Sequence, residues 1–136
     1  VKKEILKLID ANTNRLREAL RVCEDISRFV LSDGRSAREL KRIRHASTRA
    51  AEKMAGDGRT LEKSRYPEKD VGRHSMATEV KRNSVADIFS ANMKRAEESA
   101  RVLEEFSKLK NASSSESFKT LRFCLYRIER NVIKKL

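Results

Sequence analysis

Apolar residues recur along this chain at helical spacing and not at the alternation of strands. At about 100° per residue, Ile5, Leu16, Ala19, Leu20, Cys23, Ile26, Ser27 and Val30 gather on one face of a first helix. Ile88, Phe89, Ala96, Ser99, Leu103 and Phe106 make a matching stripe on a third. Punctuation sets the limits. The pattern predicts helix 1 over Lys3–Leu31, ended by Ser32-Asp33-Gly34, and helix 2 from the capping box Ser36–Glu39 to about Met54. Gly56-Asp57-Gly58 closes helix 2. Ser84-Val85-Ala86-Asp87 opens helix 3, which runs to about Lys110, and Ser113–Glu116 caps helix 4, which runs to about Lys135. Between Arg59 and Asn83 the periodicity weakens around Pro67, the one proline, with a short helix expected near Thr60–Ser64.

The two halves are copies. Ala11–Arg28 and Ala91–Lys108 agree at Ala11/Ala91, Asn12/Asn92, Arg15/Arg95, Glu18/Glu98, Arg21/Arg101, Val22/Val102, Glu24/Glu104 and Ser27/Ser107. The likeness continues into the second arms, where Lys41, Arg44 and Arg49 correspond to Lys119, Arg122 and Arg127. The predicted fold is therefore all-α: two antiparallel helical hairpins, residues 3–54 and 84–135, related by a pseudo-twofold axis. A crossover of residues 55–83 joins them into one domain spanning 1–136.

Most of the shared positions are polar, which packing alone does not require. Asn12 and Asn92 fall inside the apolar stripes, Arg15 and Arg95 lie on their edges, and Glu18 and Glu98 come one turn later. One reading is structural: each Asn fixes helix register and each Arg pairs with its Glu. The other joins the two triplets in a charged pocket, where Arg forks hold phosphate oxygens, carboxylates hold Mg²⁺ and Asn orients both. The crossover adds Arg65, Asp70, Gly72, His74, Glu79 and Arg82 as groups able to reach a ligand held between the helices.

Charge narrows the choice only partly. A net charge of +12 admits nucleic acid, a small anionic substrate or simple solubility, but the basic residues alternate with acids and aromatic residues are only 5%. There is no phosphate-binding loop, zinc-protease motif or histidine cluster, His45 and His74 being the only histidines. Cys23 and Cys124 lack metal-ligand spacing and read as reduced core thiols. With no apolar run of membrane length and no secretory apolar segment, a cytoplasmic protein without membrane contact is expected.

The ordered series Ile9-Asp10-Ala11-Asn12-x-Asn14-Arg15-x-Arg17-Glu18, Leu20-Arg21-Val22-x-Glu24-Asp25-Ile26, Leu40-Lys41-x-Ile43-Arg44-His45, Asp70-Val71-Gly72, Ala91-Asn92-x-Lys94-Arg95 and Arg101–Glu105 resembles the all-helical thiamine-biosynthesis domain. That domain is found alone or fused ahead of thiamine-phosphate synthase. The resemblance covers nearly the whole chain and implies a hydroxymethylpyrimidine phosphate kinase that uses ATP with Mg²⁺. It also implies a synthase as a possible partner.

On that reading Arg15 and Arg95 are phosphate clamps, Asn12 and Asn92 orienting amides, and Glu18 and Glu98 metal or pairing carboxylates. Arg44, Arg122, Arg65 and Asp70 form a second tier on the substrates. These roles come from residue type and symmetry, while the resemblance supplies the positions. The chain departs from the expected pattern at Ala19, where Gly is expected, and at Tyr66-Pro67, where a polar pair is expected. A basic nucleic-acid-binding bundle and a non-catalytic regulatory module are the alternatives, and the long apolar stripes leave room for a homodimer.

Overall fold

The computed structural model describes residues 3–56, 62, 65, 70–72, 81–110 and 112–136. Four long helices carry the described fold: α1 (Lys3–Asp25), α2 (Gly34–Ala55), α3 (Val85–Ser107) and α4 (Ala112–Ile133). α1 packs on α2 and α3, and α4 packs on α3 and α2, closing a bundle in which each hairpin lies beside its copy. No strand occurs among the described residues. The fold is all-α.

The apolar stripes meet in the middle. Leu16, Leu20 and Cys23 of α1, Leu40, Ala51 and Met54 of α2, Phe89, Met93 and Leu103 of α3, and Phe118, Leu125 and Val132 of α4 are buried together. Burying each large side chain contributes about 1.5–3 kcal/mol. The pseudo-twofold relation extends to the polar contacts. Arg44 Nε donates to Glu24 Oε2 at 3.1 Å, and its counterpart Arg122 Nε donates to Glu104 Oε2 at 2.9 Å.

Where α1 meets α2 the structure corrects the expected boundaries. The first helix does not run unbroken to Leu31. After Asp25 the backbone widens into a π-helical turn, Ile26–Val30, in which Leu31 N–H donates five residues back to Ile26 O at 3.1 Å. The wider turn rotates the residues at its C-terminal end away from the core. Val30, expected on the core face, is 57% exposed beside Phe29. Within the Ser32-Asp33-Gly34 stop it is Ser32 that takes the left-handed backbone, with φ 53°, and Gly34 is the first residue of α2. Asp33, not Ser36, caps that helix, its Oδ1 accepting from Ser36 N–H at 3.1 Å. Lys135 Nζ reaches the other oxygen at 2.6 Å, and these two donors hold the Asp33 carboxyl down at about 2.

The second hairpin keeps closer to expectation. Ser84 Oγ accepts from Asp87 N–H and Asp87 Oδ2 accepts from Asn83 N–H, both at 3.1 Å, which closes the box at the start of α3. α3 ends at Ser107, short of Lys110, and α4 begins at Ala112 with Ser114 and Ser115 buried. Gly56, with φ 101°, caps α2 by donating to Glu52 O at 2.8 Å. Both cysteines are free thiols; Cys23 is buried and Cys124 half-buried. Of the helix expected near Thr60–Ser64 only Glu62, which is helical, is among the described residues; the rest of it, Tyr66-Pro67, His74 and Glu79 lie outside them.

Candidate functional site: a cationic cleft on the first hairpin

The floor of the site is an ion pair. Glu24 of α1 and Arg44 of α2 have side chains only 8% and 12% exposed, so each needs the other to offset its lost hydration. Arg21 stands above them, 3.9 Å from Glu24 and 3.7 Å from Asp25. Toward the N-terminus of α1 the surface opens into a cleft of about 470 Å³ lined by Asn14, Arg17, Glu18, Arg21 and Arg44. A smaller hollow of about 90 Å³ continues from it through the shared Asn14 and Arg17 toward Asp10, Thr48, Glu52, Glu62 and Arg65.

Helical spacing accounts for the cleft. Asn14, Arg17, Glu18 and Arg21 fall at i, i+3, i+4 and i+7, one stripe along α1 opposite its apolar face. The end of the hollow is fastened by the crossover. Arg65 Nε and Nη2 grip the two oxygens of buried Asp10, each at 2.8 Å, and Asn14 Nδ2 donates to Asp10 Oδ1 at 3.4 Å. That fork raises the pKa of Arg65 above its ordinary value. Arg17 has no ion-pair or hydrogen-bond partner among the described residues. Three guanidinium groups and one carboxylate therefore face a space that can hold a polyanion.

The same positions on the second hairpin are built differently. Arg101 and Arg122 again surround Glu104, at 3.2 and 2.9 Å. Lys94 stands for Asn14, Ser90 for Asp10, Tyr126 for Thr48 and Glu97 for Arg17. Arg122 lies over the rings of Phe123 and Tyr126, at 5.1 and 5.9 Å from their centres. Its pKa is raised by the bonds to Glu104 and Tyr126. Glu97 is buried, and burial, reinforced by the neighbouring Glu129 carboxylate, pushes its carboxyl up to about 8. The first half presents an unpaired cation where the second presents a neutral acid.

Residues 7–131 match the ThiD2 family. The chain belongs to that family. It is 33% identical, over 98% of its length, to the thiamine-phosphate synthase of Nostoc sp., and 36% identical over 95% to that of Synechocystis sp.. A thiamine-phosphate synthase of Rhodopirellula baltica is 29% identical over 98% of the chain. In each case the chain spans about 36% of the relative's length. No solved structure matches.

In this ThiD2-family chain the residues singled out from sequence are dispersed. Glu18 and Arg44 line the cleft, and Arg65 closes its far end. Asn12 is buried and donates to Leu8 O at 3.0 Å, and Asn92 donates to Ile88 O at 2.8 Å, so both amides bond to their own helices. Arg15, Arg95 and Glu98 are exposed, and no Arg15–Glu18 or Arg95–Glu98 ion pair occurs among the described residues. Arg122 belongs to the other hairpin's ion pair. Asp70 is exposed, its Oδ1 accepting from Gly72 N–H at 2.9 Å. Asp10, Asn14, Arg17 and Arg21 line the cleft and its hollow, although the repeat and the resemblance assign them no role.

Among the described residues there is no group of three or more His, Cys, Asp or Glu side chains placed to hold a metal ion. No described helix is long and apolar enough to cross a membrane. The cleft offers a single carboxylate, Glu18. That fits Mg²⁺ arriving on a nucleotide, since Mg²⁺ is commonly held by one or two carboxylates, phosphate oxygens and water.

Proposed function

We propose that the chain is a hydroxymethylpyrimidine phosphate kinase that passes the γ-phosphoryl group of ATP to the phosphate of 4-amino-5-hydroxymethyl-2-methylpyrimidine phosphate. Membership of the ThiD2 family and relatives named thiamine-phosphate synthase support a role in thiamine biosynthesis. The observation that carries the kinase reading is the cleft of Arg17, Arg21 and Arg44 around Asn14 and Glu18.

The chemistry needs little else. A phosphate oxygen of the pyrimidine substrate forms the new bond to Pγ as the bond from Pγ to the bridging oxygen breaks, and ADP leaves with that electron pair. Because the acceptor phosphate is already ionised near neutral pH, no general base has to remove a proton. The obstacle is repulsion between two polyanions. Fixed guanidinium groups counter it and hold the oxygens in line. Arg17, free of an internal partner, would bridge donor and acceptor, and Asn14 would orient a phosphate or the pyrimidine amine. Glu18 would hold the Mg²⁺ of the nucleotide, which when bound adds charge neutralisation. Arg15 and Arg95 are kept as candidate clamps for substrate groups outside the cleft.

The deciding experiment is to mix the purified chain with Mg-ATP and hydroxymethylpyrimidine phosphate, follow ADP release and weigh the pyrimidine product. Diphosphate formation is the expected outcome. Absence of turnover, with no stabilisation by either substrate, would refute the kinase reading.

A further inference from the structure

A second hollow lies on the neighbouring seam of the bundle, between α2 and α4, with a volume of about 600 Å³. Its floor is Ala46, Ala50 and Leu121, and its rim carries Arg49 and Lys53. The pseudo-twofold axis places a twin of about 330 Å³ further along the same seam. The two differ for reasons visible in the side chains. Positions Ala46, Ala50 and Ser117 correspond to Cys124, Ile128 and Glu39, so the first hollow is scooped out by smaller residues.

The twin also shows what its arginine binds. There Arg127 Nη2 holds Glu39 Oε2 at 3.0 Å, and the pKa of Arg127 rises in consequence. In the larger hollow the arginine is retained as Arg49 while the glutamate has become Ser117, whose hydroxyl donates to Ser113 O at 3.0 Å. Arg49 and Lys53 have no acid partner among the described residues, and Glu116 is the one carboxylate along the lining. An arginine that meets a carboxylate in one copy faces an open, apolar-floored space in the other.

We propose that this groove is a second ligand site, taking a small organic anion whose flat apolar body lies on Ala46, Ala50 and Leu121. Its carboxylate or phosphate is held by Arg49 and Lys53, where the twin places the carboxylate of Glu39. The site is separate from the α1/α2 cleft and stands whether or not that cleft is catalytic.

The test is an NMR titration of isotope-labelled protein with phenyl phosphate, benzoate and, as the neutral control, benzyl alcohol. The aryl anions should shift the amides of Ser117 and Leu121 saturably while the alcohol does not. The tighter of the two anions identifies the head group. Arg49→Gln, at an exposed position, should weaken binding about tenfold or more. Ser117→Glu restores the twin's carboxylate and should abolish binding while raising Tm. Failure to saturate, equal binding of the alcohol, or unchanged affinity in Arg49→Gln would overturn the site. Sedimentation should run alongside. If Arg49→Gln dispersed a dimer without weakening the anion, the groove would be a contact between copies and the proposal would fall.

Discussion

Arg17 and Glu97 occupy equivalent positions in the two hairpins, and between them they separate function from folding. Arg17→Ala should lower turnover about 10²- to 10³-fold in the ADP-release assay while leaving the helical circular dichroism signal and Tm nearly unchanged, because the side chain is exposed and makes no internal pair. Glu97 predicts the reverse. Its carboxyl is raised from 4.5 to about 8, so the folded state keeps a proton that the unfolded chain releases. Stability from this source therefore falls as pH rises from about 4.5 to about 8 and levels off beyond. Glu97→Gln should flatten the difference, and a Tm difference between wild type and variant that stays constant from pH 5 to 8 would show that Glu97 is not the titrating group. Arg44→Ala leaves buried Glu24 with only the 3.9 Å contact to Arg21 and should cost about 3–5 kcal/mol in denaturant unfolding, while Arg122→Ala should cost less because Arg101 stays 3.2 Å from Glu104.

Among the elements, the hairpins were legible in the sequence and their junction was not. Apolar spacing and capping residues announce the helices, because both are local and repeated. The π turn has no such mark. Its pattern of apolar residues continues the α-helical phase to Val30, and only the competition between Ser32, Asp33 and Gly34 for the turn decides where the phase is lost. Asp33 wins the cap because Lys135 of the other hairpin adds a second donor, a tertiary contact absent from any local reading. Asp33→Asn keeps a cap acceptor but loses the charge that faces Lys135, and should cost up to about 1 kcal/mol at neutral pH, a deficit that fades as pH falls from about 3.8 toward about 2, where the wild-type carboxyl protonates. Ser32→Gly should raise Tm slightly, since φ 53° suits glycine better.

Glu18, Arg44 and Arg65 of the cleft and its hollow were named from the sequence, but Asp10, Asn14, Arg17 and Arg21 were not, for a related cause. Identity between copies points to Asn12, Arg15 and Glu18, yet Glu24, Arg21 and Ser27 are also identical and serve the ion pair and the packing common to both hairpins. What distinguishes the first half is the set of positions at which the copies disagree: Asp10 against Ser90, Asn14 against Lys94, Arg17 against Glu97. Those differences are legible in the sequence, as departures from a symmetry that packing alone would preserve.

For the whole molecule, a charge of +12 sets the background against which any specific binding must be measured. Polyanions such as heparin should bind, release steeply with added salt, and be indifferent to Arg17→Ala. Mg-ATP with the pyrimidine phosphate should instead raise Tm in a way that Arg17→Ala removes, by about 2.7 kcal/mol at a ligand concentration a hundred times Kd. A heparin response lost together with the substrate response in that variant would favour the nucleic-acid reading.

The π turn also keeps a record of how the copies diverged. Ala91 comes 80 residues after Ala11, but Lys119 comes 78 after Lys41, so the first hairpin holds two more residues between its arms than the second. Those extra residues are accommodated where the helix widens at Ile26–Val30 and where Ser32 turns left-handed. The junction thus absorbs a two-residue difference in length between the copies, while the arms on either side of it share the pairing of glutamate with arginine. Shortening the spacer by two residues should give a first hairpin that closes as the second does, its helix ending in bonds three residues back like Lys108 N–H to Glu105 O and not in a π turn, with Phe29 left at the surface as Leu109 is.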